Sequence, residues 1–278
     1  MSKSSATAGK DKTMNVVVVL KQVPDTESAI RIAGDGKSIA TEGIKWIVNP
    51  YDEFAVEAAL RLKAKHGGKV TILSYGPQRV VESIRTALAM GADDAVLIGE
   101  DDIESSGRLQ LAKAMAAAIR SLNPDLVIMG FRAVDNDMAQ RGPMIAEYLG
   151  WPHLAFAVSI ESDGNQVTIK RPIEGGSVTL ESTLPALVTL GGSHAVWNPR
   201  FASLPGIMKA KKKPLAVKKL SDFGLDPAQF APGAGKTRVI SLEMPQERQP
   251  GRIVDGGLDT EGKARELTRL LHEEAKAI

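Results

Sequence analysis

Leu126-Val127-Ile128-Met129-Gly130-Phe131-Arg132-Ala133-Val134-Asp135-Asn136-Asp137-Met138-Ala139-Gln140-Arg141-Gly142-Pro143 is the stretch that decides the fold class. It begins as an apolar run ended by glycine, which reads as a strand buried on both faces, as in a parallel sheet. A polar, Asp/Asn-rich loop follows and opens a helical pattern. Val16 to Leu20, Val70 to Ser74 and Ala95 to Ile98 are further runs of the same kind. Helical stripes lie between them: Phe54, Ala58 and Leu62, with Ala55 and Ala59 alongside; then Val80, Val81, Ile84 and Leu88; then Leu109, Ala112, Met115, Ala116 and Ile119. Alternating strands and helices predict right-handed βαβ units in a doubly wound, Rossmann-like parallel sheet of the α/β class.

After Trp151 the pattern changes. Ala155 to Ile160, Val167 to Arg171 and Ser177 to Leu180 are short runs separated by Asp163-Gly164-Asn165 and Gly175-Gly176. They predict a small antiparallel meander. Ala186 to Leu190 reads as one more buried strand. From Asn198 the chain turns irregular and basic, and residues 221–255 are rich in Pro and Gly. A final helix is expected over 260–276, with Ala264, Leu267, Leu270 and Leu271 on one face. The organisation expected is a polar, disordered tail over 1–13, an α/β domain over 14–214, and an extended arm over 215–278 with little core of its own.

The chain has 278 residues, 43% of them hydrophobic, and a formal net charge of +2. That is enough for one large α/β core, without the basic field of a nucleic-acid binder. The absence of cysteine excludes disulfides, thiolate metal sites, iron–sulfur ligation and a Cys nucleophile. No apolar run is long enough to span a bilayer, and residues 1–13 lack the apolar core of a secretory signal. A soluble, cytoplasmic protein is expected.

Sequence motifs exclude as much as they suggest. Gly233-Ala234-Gly235-Lys236-Thr237 looks like the end of a P-loop, but the required earlier glycine is Phe230 and no strand precedes it. No Gly-x-Gly-x-x-Gly follows a predicted strand. His66, His153, His194 and His272 lack metal-ligand spacing, and no Ser–His–Asp grouping stands out. No catalytic residue and no metal site are expected.

Two strand-to-helix turns remain. In Asn49-Pro50-Tyr51-Asp52-Glu53, Asn49 suits an N-cap, Pro50 the first helical position, and the acids the positive helix end. The second turn is the 130–143 loop. It sits at the carboxyl end of a parallel strand, where open α/β sheets bind ligands, and its helix start can hold a phosphate with help from Gln140 or Arg141. Asp135 and Asp137 suit capping or ribose hydroxyls. The residues alone leave a ligand loop and a plain capping loop equally open.

VVVVLKQVPDT, NPYDEFAVEAALRLK, IRTALAMGADDAVLI, LVIMGFRAVDNDMAQRGP and RFASLPGIMKAKKKP occur in this order from Met14 to Pro214. Together they resemble the electron-transfer flavoprotein β subunit. The resemblance implies an adenine-nucleotide-binding fold, and a partner α subunit carrying most contacts to a redox-active FAD. It implies a structural AMP on this chain, contacting Val19, Asn49, Pro50, Tyr51, Asp52, Tyr75, Gly130, Phe131, Arg132, Ala133, Val134, Asp135, Asn136, Asp137, Met138, Ala139, Gln140 and Arg141. The heterodimer it implies takes electrons from acyl-CoA dehydrogenases or related flavin dehydrogenases and passes them to a membrane quinone oxidoreductase.

The resemblance also assigns a recognition loop to residues 200–209, with Leu204 as the apolar anchor. Arg200, Pro205, Ile207, Met208, Lys209 and Lys212 accompany it, and Pro205-Gly206 is expected to set a turn. A hydrophobic plug with a basic flank suits a transient partner bearing acidic charge. Ala139-Gln140 and Gly142-Pro143 are similar to electron-bifurcating members instead, which implies the alternative of a second FAD and NADH oxidation. Pro172 and the segment 191–198, GGSHAVWN, depart from the family pattern. A stand-alone nucleotide-sensing module is a further reading of the same fold.

Overall fold

The computed structural model describes residues 13–100, 103–246 and 250–278. The tail expected over 1–13 lies outside the described residues except for Thr13, which is exposed. The strands, in chain order, are β1 (Met14–Val19), β2 (Gln22–Pro24), β3 (Trp46–Val48), β4 (Gly68–Tyr75), β5 (Asp94–Ile98), β6 (Leu126–Gly130), β7 (His153–Ala157), β8 (Ser159–Ser162), β9 (Gln166–Ile173), β10 (Gly176–Thr183), β11 (Ala186–Leu190) and β12 (Leu215–Lys218). The helices are α1 (Pro50–His66), α2 (Val80–Met90), α3 (Arg108–Leu122), α4 (Arg141–Leu149), α5 (Leu204–Ala210) and α6 (Thr260–Glu273).

Seven strands form one parallel sheet in the order β12-β5-β4-β1-β6-β11-β7. The apolar runs of β1 explain why it lies at the centre. Val16 and Val18 pack into the core under α1 and α2, while Val17 and Val19 pack into the core under α3 and α4. A strand covered on both faces cannot alternate with polar residues, which is why it reads as an unbroken run. The Rossmann-like α/β fold expected from the alternation is the one observed.

The chain leaves β1 toward β4 and β5, then returns through α3 to β6 on the other side of β1. The sheet therefore changes direction between β1 and β6, whose carboxyl ends leave a crevice.

The expected meander exists as the β8-β9-β10 sheet, but Ala155 to Ile160 is not one strand. Phe156 takes a left-handed φ of 58°. Just after it, at Val158, the chain divides into β7, which joins the parallel sheet beside β11, and β8, which starts the meander. Residues 215–230 pack onto the domain: β12 pairs with β5, and Leu220 and Phe230 are buried in the core under α3. No described residue after Phe230 is buried. Among the described residues no helix is long and apolar enough to cross a membrane.

Candidate functional site

The cleft lies at the β1/β6 switch point, and Asp52 is its keystone. This residue is 3% exposed. Its Oδ2 accepts from the Lys21 amide at 2.8 Å and its Oδ1 from the Gly130 amide at 2.9 Å. One carboxylate in the first turn of α1 thus ties together the ends of β1 and β6. Burial pushes its pKa up to about 6, and these two backbone hydrogen bonds limit the rise. Gly130 has to be glycine here. A Cβ would lie 2.5 Å from Tyr51 Cβ and 2.6 Å from Asp52 Oδ1.

Asn49 occupies the N-cap position of α1, but its side chain makes no capping bond. Its Nδ2 donates to the Arg132 carbonyl at 3.0 Å, and its Oδ1 accepts from the Val134 amide at 3.2 Å. The expected cap is instead a brace for the 131–140 loop. Tertiary partners have outcompeted the local one, and the first amides of α1 are left to other acceptors.

The loop acids do not cap α4 either, whose Gln140 N-cap makes no side-chain bond. Asp135 pairs with Lys21, whose side chain is 6% exposed. Asp137 pairs with Arg132 at 3.3 Å. Arg132 also donates from Nε and Nη2 to the Tyr51 hydroxyl at 2.9 and 2.7 Å, which raises its pKa. Asp137 and Ala139 hold φ of 49° and 52°, conformations that L-residues adopt at a cost of order 1 kcal/mol or more. Strain of this kind in a braced loop is a feature of ligand-holding segments.

Of the sequence-predicted residues, Val19, Asn49, Asp52, Gly130, Phe131, Arg132, Ala133, Asn136, Met138, Ala139, Gln140 and Arg141 line one cleft together. Pro50, Tyr51, Val134, Asp135 and Asp137 are held behind or beside that lining. Tyr75, at the end of β4, lies under the Arg141 guanidinium at 4.8 Å. The sequence reading missed Lys21, Arg108, Met129 and Met144, which also line the cleft. Lys21 carried a signal, because it directly follows the central strand. Arg108 carried none, since only the return of α3 across the sheet brings it there.

The predicted partner residues form a separate surface. Leu204-Pro205-Gly206 is the first turn of α5 rather than an isolated turn. Ser203 caps it by accepting from the Gly206 amide at 3.1 Å, and proline takes a first-turn position where no amide is needed. Gly206 sits so close to α2 that a Cβ would meet the Ala89 carbonyl oxygen at 2.5 Å. Leu204 is 75% exposed, with Ile207, Met208, Lys209 and Lys212 also at the surface. Arg200 is engaged within the chain, donating from Nε to Glu57 at 2.6 Å and from Nη2 at 3.1 Å. Burial pushes the Glu57 carboxyl up, but Arg200 and Arg61 more than offset it and hold it below its usual value. Among the described residues no cluster of His, Asp or Glu suits a metal ion.

A central strand buried on both faces, a switch-point crevice and a braced loop at its mouth define a doubly wound protein of the Rossmann-like class. The sequence matches the electron transfer flavoprotein domain over residues 37–223. It is 38% identical to the electron transfer flavoprotein subunit beta of Bacillus subtilis (strain 168), over 95% of this chain and 100% of that protein. It is 39% identical to the human protein of the same name, over 92% and 99%, and 42% identical to that of Bradyrhizobium diazoefficiens, over 86% and 92%. The chain belongs to the electron transfer flavoprotein β-subunit family.

Proposed function

We propose that this chain works as one half of a heterodimeric electron carrier, with an α subunit holding most of a shared FAD and this chain holding a structural AMP. The observation that carries the reading is the switch-point cleft, where Asp52 fixes both strand ends and Lys21, Arg108, Arg132 and Arg141 supply positive charge. That donor set fits a phosphorylated nucleotide. The glycine at 130 lets the end of β6 close against Tyr51 and Asp52, which sets the floor of the cleft. FAD supplies the redox chemistry when bound. The residues of this chain bind and orient, and none acts as a catalytic acid, base or nucleophile.

In this reading α5 presents Leu204 to an acyl-CoA dehydrogenase or related flavin dehydrogenase, and the carrier then delivers electrons to a membrane quinone oxidoreductase. The exposed leucine beside Lys209, Lys211 and Lys212 supports a transient, acidic partner. The arm beyond Phe230 covers the α subunit. Its support is the exposed apolar series Val239, Ile240, Leu242, Met244 and Ile253. The cytoplasm is the proposed location.

Quantifying flavin and AMP released from the purified heterodimer tests the proposal. One of each per heterodimer is expected. Two FAD and no AMP, with flavin reduction by NADH, would replace it with the bifurcating alternative suggested by Ala139-Gln140-Arg141-Gly142-Pro143. A stable monomer that binds nucleotide without any α subunit would replace it with the sensing module.

A further inference from the structure

The geometry points to Arg108 as the phosphate-selecting residue of the cleft, held in place by a backbone clasp from Gly233–Gly235. This inference rests on the reading of the cleft as a nucleotide site.

Two independent features carry it. The first is charge. Among the described residues, Lys21, Arg108, Arg132, Arg141 and Asp52 are the charged ones lining the cleft. Asp135 pairs with Lys21, and Asp137 pairs with Arg132. The loop acids therefore cancel two of the four cations, and Asp52 offsets a third. The positive charge left over equals that of one arginine. Arg108 is exposed, lines the cleft and makes no ion pair among the described residues. A cleft deprived of Arg108 would be close to neutral and would accept a nucleoside as readily as a nucleotide. With it, a planar donor fork faces an anion, and guanidinium suits phosphate oxygens in a bidentate arrangement.

The second feature is how Arg108 is presented. It is the first residue of α3, after Gly107 at φ 107°. The segment that resembles the end of a P-loop lies directly against this turn. The Gly233 amide donates to the Ser105 carbonyl at 3.3 Å, and Gln110 Nε2 donates to the Ala234 carbonyl at 3.0 Å. Gly235 packs against the backbone so closely that a Cβ would lie 2.9 Å from the Ser106 oxygen and 3.0 Å from Gly107 Cα. A Cβ on Gly107 would in turn meet Gly235 Cα at 2.7 Å. The Gly-Ala-Gly sequence does not cradle a phosphate itself. It lets two backbones touch, and so fixes the start of the helix that carries the phosphate-binding arginine.

The ligand class is an adenine nucleotide recognised through its phosphate, as distinct from adenosine. The test is calorimetric titration of nucleotide-stripped heterodimer with AMP and with adenosine. For wild type, AMP is expected to bind at least tenfold more tightly than adenosine. Arg108→Ala should weaken AMP about tenfold and leave adenosine unchanged, in line with the loss of one charge-assisted contact. Arg108→Lys should recover part of the AMP affinity. Gly235→Val should weaken AMP with Arg108 intact, and combining it with Arg108→Ala should add little, as two residues acting through one contact do. Unaltered FAD content in each variant controls for folding. Unchanged AMP affinity in Arg108→Ala overturns the inference alone. Failure of wild type to bind AMP or adenosine overturns the reading of the cleft with it.

Discussion

The switch-point cleft and residues 231–278 spend their side chains in opposite ways. At the cleft, polar groups find partners inside the chain: Asp52 takes two strand-end amides, Asn49 braces the loop, and Lys21 and Arg132 take the loop acids. Beyond Phe230, no described apolar residue is buried. Ile240 and Ile253 are 66% and 87% exposed, and α6 has no buried residue, being stitched along its own surface by Arg265–Glu261 and Arg269–Glu273 pairs. The difference separates a cleft that this chain builds by itself from a surface that, on the proposed reading, a second chain completes. Satisfied polar groups mark the first, and unspent apolar surface marks the second.

The comparison breaks most easily at the arm. Deleting residues 238–278 leaves the Gly233–Gly235 clasp in place and should weaken association with the α subunit about 100-fold, read by sedimentation of the mixed subunits. Unaltered association would mean that the exposed apolar series is not an interface. On the cleft side the largest effect is expected at Gly130. Gly130→Val drives side-chain atoms into Tyr51 and Asp52 and should cost about 3 kcal/mol in urea unfolding, with loss of bound nucleotide.

Asp52 sharpens the comparison through pH. The folded protein holds its proton more tightly than the unfolded chain, because burial raises the pKa to about 6 from the ordinary carboxylate range. Stability from this group is therefore greatest at low pH and is lost as pH rises from about 4 through about 6. Across that window wild type should lose about 2 to 3 kcal/mol relative to Asp52→Asn, whose stability lacks this component. Parallel pH profiles for the two proteins would show that the carboxyl is not desolvated. The smallest effect on stability is expected at Leu204. Leu204→Ala should change unfolding by less than about 0.5 kcal/mol, as exposed positions do, and leave flavin content intact. Electron transfer from the dehydrogenase should nonetheless slow. Flavin loss in that variant would make α5 a structural element instead.

What was legible in the sequence follows the same division. Strands β1, β4, β5, β6 and β11 announced themselves because both faces are buried and the apolar runs are unbroken. Strand β12 did not, since a half-exposed edge strand pairs on one side only and carries no run. The break after Phe156 was invisible because a left-handed phenylalanine is held by its surroundings, including rings packed at 4.7 and 5.8 Å, and not by its own preference. In the cleft, loop position was legible but partnership was not. Asn49 looks like a cap in sequence, and its actual partners lie more than 80 residues away. The place of Lys21 after the central strand was legible, but its partner Asp135, 114 residues on, was not.

Asp52 also bears on the order in which the protein forms during synthesis. Its two amide partners lie 31 and 78 residues away in opposite directions. While the ribosome is still making α3, the chain already contains β1, α1, β4, α2 and β5, and this unit can pair and bury one face of the growing sheet. Yet it contains no floor for the cleft. The carboxylate has one hydrogen bond to make and a second acceptor oxygen left in water until residue 130 emerges and β6 docks against β1. The cleft is thus the last part of the sheet's centre to exist, and on the proposed reading a nucleotide can grip only a chain that has already closed its longest central contact.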